Sequence, residues 1–179
     1  NPDAAAKAVG NAIVMMFTFG ILYFVIIQVF LDPMLIAFGA TDKVFSYAES
    51  YTRITALGMP LLIVMNGMSN LARADGSPKY SMSCMVLGAI INTVLDPIFI
   101  FVFKLGVAGA AWATVIGQFF SFALALRYAW HFRHIHLERR HFVPDFRQWL
   151  KTASLGMSNS LNQVAITFVQ IVLNNSLTY

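Results

Sequence analysis

The chain has 179 residues, 58% of them hydrophobic and 11% charged, with a mean hydropathy of +0.67. A soluble globular domain carries about 25% charged residues. The composition therefore excludes a water-solvated core and indicates an integral membrane protein, whose side chains meet lipid or other helices. The net charge of +4 could suggest acidic partners, but where the charges fall argues against nucleic acid, as the order of segments shows.

Residues 1–10 lack the basic-then-apolar layout of a cleavable signal. The chain opens on Asn1 and stops at Tyr179 inside an apolar run, so both ends read as cut and a fragment of a longer polypeptide is expected. The run Asn11 to Leu31 spans about 30 Å as a helix, enough to cross a bilayer. Asp32-Pro33 interrupts it and Met34 to Phe38 carries it on. Thr41-Asp42 suits the N-cap of a second span, from about Tyr47 to Leu71, with a kink expected at Gly58-Met59-Pro60. A polar turn follows, Arg73-Ala74-Asp75-Gly76-Ser77-Pro78-Lys79. The third span is Tyr80 to Phe103. A tight turn at Lys104-Leu105-Gly106 leads into the fourth, Val107 to about Trp130, whose Gly109-Ala110-Ala111 offers a small-residue surface for close helix approach. A basic connector comes next, and a fifth apolar segment begins near Trp149. The spans are placed at about 11–38, 44–72, 79–103 and 107–131.

With the sides alternated, Lys7, Arg73, Lys79, Arg127, Arg133, Arg139, Arg140, Arg147 and Lys151 share one side. Lys43, Arg53 and Lys104 fall on the other with Asp32, Asp42 and Glu49. The positive-inside rule makes the first side cytoplasmic. The excess charge is thus a topology signal. Cys84, the one cysteine, forms no internal disulfide and suits a small buried position. His131, His134, His136 and His141 lack a helical i, i+4 pair and a cysteine companion, so a metal site is set aside in favour of a solvated basic loop. No nucleophile–base pair and no phosphate-cradling glycine loop is apparent, so the reading is not an enzyme.

The third span carries the chemistry. Asn92 and Asp96 are four residues apart, so their side chains stack on one helix face, and the run Tyr80 to Phe103 holds no other charge. Pro97 has no N–H for the carbonyl of Thr93. An amide oxygen, a carboxylate and a freed carbonyl thus gather in one turn, hard donors suited to an alkali cation or a proton. A kink with a packing Asn–Asp pair is the plainer alternative. A carboxylate in hydrocarbon favours function, because its burial is costly without a cavity or partner. Thr114 lies about as far beyond the Lys104-Gly106 turn as Asp96 lies before it, about 12 Å, so the two are at matching depth. Its hydroxyl could complete an oxygen cage or bond the carbonyl of Ala110. Asn66 pairs with Asn70, and Asn159 with Gln163, at the same spacing; they could face a substrate cavity or join helices. By helical rise Asn66 is about 15 Å deep and Asn92 about 24 Å, which weakens a shared site.

Three segments in this order, Leu71 to Lys79, Asn92-x-x-x-Asp96-Pro97 and Gly106 to Thr114, resemble the multidrug and toxic compound extrusion (MATE) transporters over essentially the whole chain. The resemblance implies an all-α polytopic membrane bundle, twelve helices in two lobes. Residues 1–133 would be part of the N-terminal lobe (its helices three to six), 134–146 the cytoplasmic inter-lobe connector, and 147–179 the first helix of the C-terminal lobe. It implies export of organic, often cationic, compounds by antiport with Na⁺ or H⁺ across the cell membrane, with no further cofactor. The lipid bilayer, a small organic substrate and the rest of the polypeptide would be its partners. Residues matching Asn92, Asp96 and Thr114 would hold the coupling cation, together with a carboxylate on a first helix that this chain lacks. In the turn, Asp75 precedes Gly76 where the family often has the reverse order. A flippase for lipid-linked sugars and a non-transporting scaffold are the alternatives. The first would be expected to place more cations in its cavity, and Asp96 argues against the second.

Overall fold

The computed structural model describes residues 2–37, 42–132 and 137–177. All regular structure in these residues is helical: α1 (Pro2–Ala37), α2 (Asp42–Ala74), α3 (Pro78–Pro97), a π-helical turn (Ile98–Val102), α4 (Gly106–Arg127), short 3₁₀ turns at Tyr128–Trp130 and Arg139–Phe142, and α5 (Phe146–Leu177). Four of these stretches are long and apolar enough to cross a membrane: Asp3–Ile36, Val44–Ala74, Pro78–Val102 and Gly106–Trp130. The chain is a multi-pass membrane protein. α5 is long enough as well, at 32 residues. Asn159, Asn162, Gln163 and Gln170 interrupt its apolar run, and it falls outside that set.

α1 starts at Pro2, nine residues before the expected Asn11, and its one non-helical backbone position is Phe30 (φ −104°, ψ 15°), a turn ahead of Pro33. The clash of the proline ring with the preceding turn accounts for the break without ending the helix. α2 runs on through Pro60 as a single helix. The expected cap at Thr41 lies outside the described residues. Gly76, at φ +80°, closes α2 while Ser77 N–H donates to Ala72 O at 2.9 Å, satisfying a terminal carbonyl.

α2 is the hub and packs on α1, α3 and α4, while α3 and α4 pair along their length. The larger core joins Ile13 of α1 with Val64, Met65 and Met68 of α2, Cys84 of α3, and Ala125 and Tyr128 at the end of α4. Cys84 is buried and free, as its sequence setting suggests. Among the described residues, α5 touches α1 and neither α3 nor α4.

Between α4 and α5 the connector is strapped onto α1. Gly10 leaves no side chain where the carbonyl of His141 comes down, and a Cβ there would collide with it. Asn11, buried beneath, accepts the Asp145 N–H at 2.7 Å and donates to the carbonyl of Lys7 at 3.1 Å. Lys7 meets Asp145 at 2.9 Å, and Asp3 meets both Arg140 (2.9 Å) and His141 Nε2 (3.1 Å). The Glu138 N–H donates to His141 Nδ1, which leaves Nε2 as the donor to Asp3. His141 therefore serves the strap. His134 and His136 lie outside the described residues.

Candidate functional site: a polar seam between α3 and α4

α3 and α4 approach closely because glycines face each other. A Cβ on Gly117 would stand 2.8 Å from the Gly88 carbonyl oxygen, and one on Gly88 would stand 3.0 Å from that of Gly117. At this spacing short polar side chains reach across, which longer-range helix pairs do not allow. Three do so: Tyr80 Oη donates to Leu124 O (2.7 Å), Ser121 Oγ to Cys84 O (2.8 Å) and Asn92 Nδ2 to Thr114 Oγ1 (3.2 Å). The small surface at Gly109 has a different neighbour. Its Cα faces the Phe99 carbonyl of the π turn, and the helix crossing itself lies at Gly117.

Thr114 thus takes one of the two roles that its sequence setting left open, the bond to the Ala110 carbonyl. It accepts from Asn92 and donates to the Ala110 carbonyl at 3.0 Å. Asn92, rather than Asp96, is the residue level with it. Asp96 lies one turn nearer the Lys104 turn; its Oδ1 is buried and has no hydrogen-bond partner among the described residues. Below Pro97 the chain does not stop but widens into the π turn, with Phe103 N–H bonded to Ile98 O at 3.0 Å. Such turns relax the backbone ladder and recur at functional sites.

Asn92 and Thr114 line a cavity of about 200 Å³ together with Met65, Gly88, Gln118 and Ser121. Gln118, one turn on from Thr114, was not singled out from the sequence. Its Oε1 is buried with no partner among the described residues, and its side chain occupies the space left by Gly58 of α2, where a Cβ would overlap it. The signal was present in the sequence as the i, i+4 pair Thr114/Gln118, the same spacing as Asn92/Asp96.

Asn66, Asn70 and Gln163, also noted in the sequence, do not line this cavity. Asn66 is exposed on α2, outside this cavity, and Asn70 accepts from Arg73 at 2.6 Å. Gln163 is on the exposed surface of α5, and the side chain of Asn159 lies outside the described residues. Among the described residues no three His, Cys, Asp or Glu side chains gather as a metal cluster.

The fold and seam define a polytopic helix bundle with a polar site inside the membrane. The MatE family model matches residues 1–98, more than half of the chain and through Asp96. The chain belongs to this family, the MATE transporters. It is 30% identical over 161 residues to a Bacillus subtilis (strain 168) protein named "Probable multidrug resistance protein YpnP", a match covering 88% of this chain and 35% of that one. It is 34% identical over 130 residues to Protein DETOXIFICATION 43 of Arabidopsis thaliana, covering 72% and 24%. An outward-facing structure of a multidrug resistance MATE transporter superposes with a TM-score of 0.88 at 24% identity, covering 97% of this chain and 39% of that one, a likeness of fold. The chain thus spans between about a quarter and two-fifths of the length of these relatives.

Proposed function

We propose that the transporter built on this chain exports small organic, often cationic, compounds in exchange for Na⁺ or H⁺ entering through the α3–α4 seam. In this reading Asp96 supplies the charge and Asn92 and Thr114 supply neutral oxygens; Pro97 and the π turn let the end of α3 change shape. The basic connector faces the cytoplasm, and residues 147–177 begin the second lobe. No cofactor beyond the coupling ion enters the scheme.

The observation that supports it most is the buried, unpartnered Oδ1 of Asp96, one turn from the Asn92–Thr114 bond. A carboxylate oxygen in a membrane span is costly unless something occupies it, and a proton or alkali cation satisfies that need. The two compete for the same group, which is the condition for exchange. Asn92 now turns its Nδ2 to Thr114. A cation would require the amide oxygen instead, so binding would exchange the interhelical hydrogen bond for two oxygen–cation contacts. An ion shifts the bundle only through such a difference between two arrangements.

The test is efflux of an organic cation from liposomes holding the full-length protein, under an imposed Na⁺ gradient, an H⁺ gradient, or neither. Acceleration by one gradient supports the reading and names the ion. Equal rates in all three would end it.

A further inference from the structure

At the arginine-rich end of the bundle, about 20 Å along α3 from Asn92, the turn between α2 and α3 and the last turn of α4 enclose a second pocket. Its volume is about 730 Å³, and its wall includes Ser77, Lys79, Tyr80, Arg127, Tyr128 and His131. We propose that this pocket binds the phosphate headgroup of an anionic membrane lipid.

Three observations carry the assignment. Lys79 and Arg127 are both exposed at the pocket, and among the described residues neither side chain has a carboxylate or hydrogen-bond partner. The acidic group of the turn, Asp75, is buried and accepts the Tyr128 hydroxyl at 2.8 Å. Second, the N-terminus of the 20-residue α3 opens here without a side-chain cap or an acid in its first turn. The Tyr80 and Ser81 N–H groups already donate to the Ser77 carbonyl, so the helix end offers its partial positive charge more than free donors. Ser77 is only 8% exposed, yet its hydroxyl has no partner among the described residues and sits on the pocket wall. A phosphate satisfies the hydroxyl and both cations together and is favoured by the helix end.

The third observation selects a lipid over a soluble phosphate. Exposed Met82, Val86, Ile90 and Val94 follow at four-residue steps down α3 from the pocket and form an apolar ridge for an acyl chain. Trp130, 78% exposed, stands close by in sequence, an aromatic of the kind found at a membrane interface. Basic pockets between helices on the cytoplasmic side suit anionic headgroups.

The experiment is native mass spectrometry of the full-length protein titrated with phosphatidylglycerol, phosphatidylcholine or inorganic phosphate. Phosphatidylglycerol should bind at least tenfold more tightly than phosphatidylcholine, and millimolar inorganic phosphate should not displace it. Lys79→Ala with Arg127→Ala should weaken binding by about thirtyfold, while Lys79→Arg with Arg127→Lys, which keeps both charges, should stay within threefold. Arg73→Ala removes a charge on the same side but outside the pocket and should change binding less than twofold. Equal binding of the two lipids, equal losses for Arg73→Ala and the pocket pair, or displacement by inorganic phosphate would each overturn the proposal. None of these outcomes depends on the coupling ion.

Discussion

The α3–α4 seam and the α1–connector strap are both built from short polar side chains, yet they differ in how their groups are satisfied. In the strap, Asp3, Lys7, Arg140, His141 and Asp145 stand at the water-facing end and pair with one another. Lys7–Asp145 and Asp3–Arg140 are exposed and contribute little each, because water competes for their members; His141 is the buried one. In the seam, Asn92 and Thr114 hold each other, while Asp96 Oδ1 and Gln118 Oε1 are buried with no partner among the described residues. Gln148 Oε1 and Trp149 Nε1, in the first turn of α5 beside the strap, are unmet in the same way. What is particular to the seam is that one unmet group is a carboxylate within a membrane span, where the cost is highest. The acid, rather than polarity or an unmet group as such, distinguishes the two regions.

The contrast can be broken most forcefully at the helix crossing. Gly117→Val should push α3 from α4, since its Cβ would already stand 2.8 Å from the Gly88 carbonyl. A loss of about 1–3 kcal/mol is expected, read as a lower unfolding midpoint of the full-length protein in detergent. Thr114→Val keeps the shape but removes the acceptor for Asn92. It should cost only about 0.6 kcal/mol in stability, as interhelical hydrogen bonds in membranes average, and yet impair ion-coupled efflux severely. Thr114→Ser should restore efflux. Gln118→Met removes an oxygen that nothing satisfies, so stability should hold or rise by up to about 1 kcal/mol. A clear fall in stability would show that Gln118 is structural after all.

The smallest effect belongs to the strap. The hydrogen bond from Lys7 holds the Asp145 carboxyl below the ordinary carboxylate range. A depressed carboxyl contributes its stability above its unfolded pKa and loses it as pH falls through the lower folded value. Hydrogen exchange of the connector amides should therefore show extra opening only under strongly acid conditions. Lys7→Ala should cause a slight opening at neutral pH and leave transport unchanged.

Much of this was legible in the residues. Apolar runs of bilayer length, the Gly76 and Gly106 turns and the one-sided arginines specify α1 to α4 and their order, because lipid forces each span to satisfy its own backbone. Asn92, Asp96 and Thr114 were legible because a polar group in such a run has few reasons to be there. Three features were not. The π turn after Pro97 depends on how the ladder shifts register once an N–H is missing, and a proline alone signals only a disruption. The strap depends on Gly10 and Asn11 meeting residues some 130 positions away. Gln118 stands four residues from Thr114 in the sequence, but its burial against the bare Cα of Gly58 is a tertiary contact that this spacing does not specify.

The most direct test is Asp96→Asn in the full-length protein, which keeps the size of the side chain and removes its charge. Organic-cation efflux from liposomes should lose its acceleration by the Na⁺ or H⁺ gradient, while the protein stays folded and inserted. Gradient-driven efflux at the wild-type rate from the same variant would contradict the account.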